Sequence, residues 1–445
     1  MNRVSMTLAC AAALLFAVQP ALAEADLESE FAKMRELVEG LQQKVEAQEE
    51  QIEHQSEMLE QAQTAVQAQQ EQAESLSGLS TFLDSVEVDG HFAGSYNYNF
   101  NTPKHSTGGA DLNNGLVGAL PFHGDHNTMS VDQIWFGIGK PATEESPAGF
   151  RFDILYGNNA NFLGQGTGGF DDPNLAGGPY SLSRRAGAND STSDYYIAQA
   201  YAEYTADVGE GLNFKFGKWQ TMVGAEVVQA TGNFNITRGI VYSLLQPVDH
   251  LGLLGTLDVG PVEIGAAVVN AGSSSISSPD INSEKSYIAT AALGDDRMSL
   301  RTSFIYGAED PGDNETRTGL ADVTAWFNPT ENVSLWANYN YLYVEATSGH
   351  ANGIALAGRV QLTDKIGAAL RGEYVNFRDS DSGITEFYTL TGTADYALTD
   401  HLLARAEVRF DTAHDDKVYF RNGSTGDPSL ADNQTVGLVE VVYEF

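Results

Sequence analysis

The sequence predicts an all-β transmembrane barrel of about sixteen antiparallel strands, preceded by an N-terminal α-helical coiled coil. Three observations support this fold class. After residue 86, segments of roughly 9 to 14 residues alternate apolar and polar side chains, near the length that tilted membrane strands need. The connections between these segments alternate between short turns and long polar stretches. The segment before them repeats apolar residues every seven positions, which is the period of a coiled coil.

Residues 1–23 have the pattern of a secretory signal peptide. Arg3 supplies a basic start, a mostly apolar stretch runs from Leu8 to Val18, and Ala21-Leu22-Ala23 provides a small-x-small cleavage site. The single cysteine, Cys10, lies inside that stretch and comes too early for a lipoprotein signal. The exported chain is therefore expected to contain neither disulfides nor thiolate metal sites.

Residues 24–76 are predicted to form a periplasmic coiled coil, with a linker at 77–85. One seam position of the heptad is occupied by Phe31, Val38, Val45, Ile52, Leu59 and Val66. The other is occupied by Met34, Leu41, Gln48, Gln55, Ala62 and Gln69. Because one helix cannot bury such a seam alone, the pattern predicts self-association. The alternative is a single solvated helix or a disordered acidic tail.

The barrel is predicted to span residues 86–445, where the period of the pattern changes to two. A soluble β-sandwich shows the same alternation in a single strand, so the number of segments and their connections decide between the two folds. The sixteen predicted strands centre near Ala93, Ile134, Phe152, Ala200, Phe214, Leu254, Ala267, Ala289, Ser303, Thr324, Ala337, Ala357, Leu370, Thr391, Ala406 and Val439. Short turns on the periplasmic side and long loops outside are typical of outer-membrane barrels. An even strand count then places both ends of the barrel at the periplasmic rim.

Charged side chains recur on one face of several predicted strands. Arg405, Glu407 and Arg409 share a face of the penultimate strand, and Ala406 and Val408 lie on the other. Burying such a row in a dry core would be costly, whereas a water-filled lumen removes that cost. Soluble exposed faces also carry charges, so this pattern favours the barrel without excluding a sandwich.

The last strand ends on an aromatic residue. Val439, Val441, Tyr443 and Phe445 occupy alternate positions at the end of the chain. This arrangement resembles the signal that the bacterial barrel-assembly machinery recognises. We therefore expect that machinery to be a partner through Phe445, and the outer membrane of a Gram-negative bacterium to be the destination.

The chain is strongly acidic, with a formal net charge of −36 at pH 7. Nucleic acid is excluded as a partner because its phosphates require a basic face. The charge is consistent with a well-solvated acidic surface. The functional alternative is an electronegative pore that favours cations.

The segment Leu212 to Asn270 carries a recognisable set of short motifs. They are Phe216-Gly217-Lys218, Thr221, Gly224-Ala225-Glu226, Asn233, Arg238 and the stretch from Pro247 to Gly252. This set resembles the OmpL-like β-barrel porins, and the later strands have a similar rhythm. The coiled coil is not general in that family and looks more like that of DcaP-type or LbtU-type porins. The resemblance implies a porin surrounded by outer-membrane lipid, without catalytic residues or cofactors, and by analogy a homotrimer.

The third long loop, from Trp219 to Asp249, is predicted to fold inward and narrow the pore, as the third loop does in sixteen-stranded porins. Its charged residues nearest the constriction would be Glu226, Arg238 and Asp249. The lumen wall would carry Arg151, Asp153, Lys215, Arg301, Arg371, Glu373, Arg405, Glu407 and Arg409. An acidic loop opposite a basic wall would create a transverse field that orders polar solutes. Alternatively, these are ordinary loop and lumen charges paired with their neighbours.

Three other functions remain open at this point. The chain could be a substrate-specific porin of the siderophore or sugar type, or a tether whose coiled coil contacts peptidoglycan. It could also be a barrel enzyme that uses His91, His350 or His414 with nearby Ser and Asp residues, although no catalytic motif surrounds them. The histidines are scattered and form no H-E-x-x-H pair, so the sequence predicts no metal site.

Overall fold

A computed structural model describes residues 24–102, 120, 122–123, 126–143, 145–164, 195–209, 211–270, 280, 282–309, 313–346, 348–379, 383–414, 420–422 and 429–445. The predicted signal peptide, residues 1–23, lies outside these ranges. The chain divides into two compact units between Asp84 and Ser85.

The first unit contains one long helix, α1, which spans Glu24–Asp84. Its sequence is rich in Ala, Glu, Gln and Leu, which favour helix formation, and it contains no proline. The helix continues to Asp84 and so includes most of segment 77–85, which was predicted from the sequence to be a linker. Within the described part of the chain, no helix combines the length and the apolar character needed to cross a membrane.

The second unit consists mainly of β-strands. The strands are β1 Glu87–Asn99, β2 Thr128–Lys140, β3 Ala148–Tyr156, β4 Tyr195–Ala206, β5 Leu212–Gln220, β6 Asp249–Val259, β7 Val262–Asn270, β8 Lys285–Gly294, β9 Met298–Gly307, β10 Thr318–Thr330, β11 Val333–Val344, β12 Gly349–Gln361, β13 Ile366–Asp379, β14 Gly383–Ala397, β15 Leu402–His414, β16 Phe420–Asn422, β17 Ser429–Ala431 and β18 Asn433–Glu444. Two short helices also occur, α2 Asn158–Gly164 and α3 Ile240–Leu245.

The strands β1–β15 and β18 form a closed antiparallel barrel, and β16 and β17 form a separate two-stranded hairpin. Closure occurs where β1 pairs with β18, with Phe92 opposite Tyr443. The terminal Phe445 takes part in this closure, since its backbone exchanges hydrogen bonds of 3.0 and 3.1 Å with Gly90. All the strand centres predicted from the sequence lie within strands of the barrel. The predicted fold class is therefore confirmed.

Side chains alternate between the two faces of the barrel wall as the period of two requires. On β15, Arg405, Glu407 and Arg409 are buried, whereas Val408 and Phe410 are exposed. Many large apolar and aromatic side chains are exposed in the same way on other strands. Burial of apolar surface is worth about 25 cal/mol per Å², so an outer surface of this kind is suited to lipid rather than to water.

The inner face of the barrel wall carries more apolar side chains than the alternating sequence pattern predicts. Leu254, Ile288, Ile305 and Leu320 lie on β6, β8, β9 and β10 and are buried in one apolar cluster with residues of α3. Apolar side chains can face inward on these strands because another segment of the chain covers them.

Candidate functional site

The connection between β5 and β6, residues 221–248, is named loop 3 here. It contains a turn of 3₁₀ helix at Ala230–Gly232 and the helix α3. Every residue from 235 to 248 is buried, although none of them belongs to a strand of the barrel wall. The second half of loop 3 is therefore covered by other parts of the chain.

An apolar contact holds one side of loop 3. All six residues of α3 are buried, and four of them, Ile240, Val241, Leu244 and Leu245, pack in the cluster that includes inner-face residues of β6–β14. Beyond the helix, the Gln246 amide donates hydrogen bonds of 2.6 and 2.7 Å to Asn338 and Asn340 on β11. These contacts attach the returning half of the loop to the wall.

A buried ion cluster holds the centre of loop 3 to β13. The Arg371 guanidinium lies 2.5 Å from Glu226 of the loop and 3.1 Å from Glu373 on its own strand. Arg371 also donates a 2.6 Å hydrogen bond to the carbonyl oxygen of Thr237. The two carboxylates accept hydrogen bonds from the loop backbone, Glu226 from Gly239 and Glu373 from Val241. One arginine thus serves two carboxylates, and each carboxylate fixes a backbone amide.

A second carboxylate, Glu407 on β15, receives the loop through its backbone. The amides of Ile236 and Thr237 donate to Glu407 at 2.6 and 3.1 Å, and the Thr237 hydroxyl donates at 2.5 Å. Hydrogen bonds to a charged acceptor contribute about 1.5–3 kcal/mol each, roughly twice the value for neutral pairs. Glu407 is therefore a strong anchor for the loop.

Two arginines of β15 bind carbonyl oxygens of loop 3. Arg405 donates to Asn233 and Ala230, each at 3.1 Å, and Arg409 donates to Arg238 at 2.6 Å. Each arginine also pairs with a carboxylate of the wall, Arg405 with Glu440 and Arg409 with Asp411. The wall charges are therefore neutralised by wall carboxylates and by loop dipoles together.

Two of the three predicted constriction charges have other roles. Arg238 is 1 % exposed and donates to carbonyl oxygens of its own loop, those of Val227, Ile236 and Val228. Burial lowers the pKa of its guanidinium. Asp249 is the first residue of β6, lies 3.1 Å from Lys218 and accepts a hydrogen bond from Tyr196. Among the predicted residues, only Glu226 and Arg371 form the expected contact between an acidic loop residue and a basic wall residue.

The remaining predicted wall residues lie away from loop 3, toward the short-turn end of the barrel. Arg151 bonds to Asp89 at 2.6 Å and to Asp153 at 2.5 Å. Lys215 lies 3.9 Å from Glu203 and 4.9 Å from the centre of the Tyr201 ring. Arg301 shares a strand face with the buried Ser303 and Ile305 but is itself exposed, and no ion pair to it occurs within the described ranges.

Sequence reasoning missed several residues that fix loop 3. Gln133 on β2 donates to the carbonyl oxygen of Val228 and accepts from the amide of Ala230. Asn235 donates to Thr393 on β14 at 2.7 Å. The sequence signal for these residues was an uncharged polar side chain at an inner-face position. That signal does not identify the partner in the loop, because the two residues are far apart in the sequence.

Gly239 allows the loop to approach Glu373 closely. A Cβ at this position would lie 2.5 Å from Glu373 Cδ, and Glu373 is held by Arg371 and by the amide of Val241. We expect Gly239→Ala to lower the free energy of unfolding by about 1–3 kcal/mol, the usual range for overpacking. Heat-induced unfolding of the barrel, followed by its shift on gels, measures this loss.

Gly372→Ala provides a matched control on the same strand as Glu373, since nothing lies within 4 Å of a Cβ placed there. It should leave the unfolding temperature close to that of the parent. Equal effects of the two substitutions would show that loop 3 does not press on Glu373.

Comparisons with known proteins agree with this architecture. The sequence profile of the family described as "Putative beta-barrel porin-2, OmpL-like" matches residues 85–445. No curated protein sequence matches the chain at a significant level.

Three solved structures are similar in fold at low sequence identity. The outer membrane channel DcaP of Acinetobacter baumannii is 12 % identical with a TM-score of 0.50, covering 81 % of this chain and 97 % of its own. Outer-membrane expressed OmpT of Vibrio cholerae is 11 % identical with a TM-score of 0.50, covering 81 % and 97 %. An anion-selective porin from Comamonas acidovorans is 9 % identical with a TM-score of 0.50, covering 81 % and 99 %. At these identities the similarity concerns the fold alone.

Proposed function

This chain belongs to the OmpL-like β-barrel porin-2 family, and from that premise we propose that its lumen passes small hydrophilic solutes or ions by passive diffusion and is narrowed by loop 3. Membership of the family and the closed barrel support an outer-membrane porin. Passage through such a barrel involves no covalent step. The solute is filtered by the width of the lumen and by the charges that line it.

The observation that carries this proposal is the anchoring of loop 3 inside the barrel. The loop leaves the wall at β5, contacts β13, β14 and β15 through Glu226, Asn235 and the amides bound by Glu407, and returns at β6. A segment held on several sides of a barrel reduces the cross-section that is open to water. Because its anchors are buried charges and strong hydrogen bonds, the narrowing would be permanent rather than transient.

We further propose that the pore prefers cations. Among the described residues, buried Asp and Glu side chains outnumber buried Lys and Arg side chains, eleven to five. The formal charge of the whole chain, −36, has the same sign. Walls of one charge sign in a low-dielectric surrounding raise the local concentration of counter-ions, in this case cations.

Cation preference can be measured as a reversal potential. With the purified full chain in a planar bilayer under a potassium chloride gradient, we expect a potential of the sign that indicates greater potassium permeability. Arg301→Gln should increase that preference, because it removes an exposed positive charge from the inner face. Arg35→Gln on α1 is the matched control and should not change it. A potential of the opposite sign for the parent would refute cation selectivity.

We also propose that α1 lies in the periplasm and makes the protein a homotrimer. Support comes from the seam of α1, where Ile52 and Leu59 are 64 % and 61 % exposed in the single chain. Association of α1 helices would bury these side chains by coiled-coil packing. We propose outer-membrane lipid and the barrel-assembly machinery as further partners, and a contact of α1 with peptidoglycan would be compatible with this arrangement.

A further inference from the structure

Three side chains that the mechanism above does not use meet inside the barrel beside loop 3. They are His123, from the connection between β1 and β2, Asp132 on β2 and Glu440 on β18. All three are buried, with exposures of 4 %, 1 % and 3 %. One ligand atom from each lies within 4.8 Å of those of the other two. The cluster combines an imidazole with two carboxylates.

A β-bulge brings Asp132 into this cluster. In the pairing of β1 with β2, Ala93 is opposite Gln133 and Gly94 is opposite Val131, which leaves Asp132 without a partner residue. As a result the consecutive side chains of Asp132 and Gln133 are both buried, where regular alternation would expose one of them. Bulges that redirect a side chain are frequent next to functional sites. Here the bulge places a carboxylate next to His123.

Two polar atoms of the cluster have no hydrogen-bond partner among the described residues. They are Nε2 of His123 and Oδ2 of Asp132, which lie 3.8 Å apart. Both residues are held in place by other contacts, since Ser130 donates to Oδ1 of Asp132 and the backbone carbonyl oxygen of His123 accepts from Asn97. Unsatisfied polar atoms in a buried site are costly and indicate a missing partner.

The donor atoms of the cluster suit a cation. His123 contributes the nitrogen donor. A neutral imidazole is the form that binds metals. Arg405 contacts Glu440 only through Oε2, which leaves Oε1 for another partner. Among the described residues, Arg405 is the arginine that forms an ion pair with a carboxylate of the cluster.

We propose that His123, Asp132 and Glu440 bind a divalent transition-metal ion of the zinc type. One nitrogen and two carboxylate oxygens form a donor set that such ions accept, whereas Ca²⁺ takes six to eight oxygens. Zinc lies about 2.0–2.2 Å from its nitrogen and oxygen ligands, so each of the three donor atoms would have to move toward the ion by less than about 1 Å. A water molecule would fill the fourth position of a four-coordinate site.

A bound ion would fix the connection between β1 and β2 against the barrel wall. His123 follows Phe122, whose ring lies 5.1 Å from the Arg238 guanidinium and 6.3 Å from the Tyr242 ring of loop 3. The ion would thus hold Phe122 on loop 3 and reinforce the position of that loop. The binding site itself does not depend on the proposed diffusion function.

Zinc binding to the full-length protein in detergent tests the proposal, by isothermal titration with Zn²⁺ alone after treatment with a chelator. We expect one tight site per chain in the parent protein. Asp132→Asn and His123→Gln should each weaken it at least about tenfold, because each removes a ligand while preserving side-chain size. His350→Ala is the control, since His350 lies on β12 outside the cluster, and it should retain the parent affinity.

Folding of each variant is checked by the heat-induced gel shift of the barrel, so that loss of zinc binding cannot be attributed to misfolding. X-ray absorption at the zinc edge should show one nitrogen and oxygen ligands only. The proposal is overturned if the parent binds no zinc, or if both ligand variants bind it as tightly as the parent does.

Discussion

Replacing Arg371 with alanine is expected to raise the single-channel conductance by about twofold or more, since the substitution releases loop 3, which we propose narrows the lumen. Arg371 is fully buried and is the shared counter-ion of Glu226 and Glu373. Removing one member of a buried ion cluster typically costs about 3–5 kcal/mol, because the remaining charges are left unpaired. Here two carboxylates would be left unpaired. The loop can relieve that penalty by moving Glu226 away from the wall into water.

Two comparisons make this result interpretable. Arg301→Ala removes an exposed arginine from the same inner surface and should change the conductance little, because it frees no loop. The double variant Glu226→Gln with Arg371→Gln should lose less free energy of unfolding than the sum of the losses in the two single variants, since no buried charge of that pair remains. An Arg371→Ala protein that folds and conducts like its parent would show that this ion cluster does not set the width of the pore.

Deleting residues 24–75 is expected to convert the proposed homotrimer into single barrels while leaving the conductance of each pore unchanged. The deleted residues carry the entire apolar seam of α1, from Phe31 to Val66, and the barrel strands lie in a separate compact unit. Without the seam no coiled-coil interface can form. Light scattering in mild detergent gives the mass of the assembly, and bilayer recordings give the conductance of the pore.

A point substitution tests the same interface without shortening the chain. Ile52→Lys introduces a charge into the seam of every helix, and charges there are strongly unfavourable when helices associate. Glu50→Lys alters the charge two residues away, off the seam, and should leave the assembly intact. A truncated protein that remains a full trimer would place the interface elsewhere.

The barrel could be predicted from the sequence because its signal is local and repeated. Each strand faces lipid on one side, so a residue such as Val408 must be apolar while its neighbour Arg409 may be charged. This constraint acts on every strand and sets a period that can be read along the chain. The inward course of loop 3 was inferred from its position in the order of loops, and its narrowing of the pore stays a prediction.

The partners of the loop could not be predicted, because they depend on contacts between distant parts of the chain. Glu226 meets Arg371 across a separation of 145 residues, and Ile236 meets Glu407 across 171. No local pattern distinguishes Arg238, which turns to its own loop, from Arg409, which crosses to it. The bulge at Asp132 was missed for a related reason, since it appears only when β1 and β2 are in register.

We propose that the barrel is a permanently open but narrowed path for hydrophilic solutes and ions. The most direct test is the current through a planar bilayer to which the purified full-length protein is added in potassium chloride. We expect stepwise increases in current of uniform size that persist without any energy source. A bilayer that stays silent while folded barrels insert would contradict it, and would favour a closed barrel that serves as a tether.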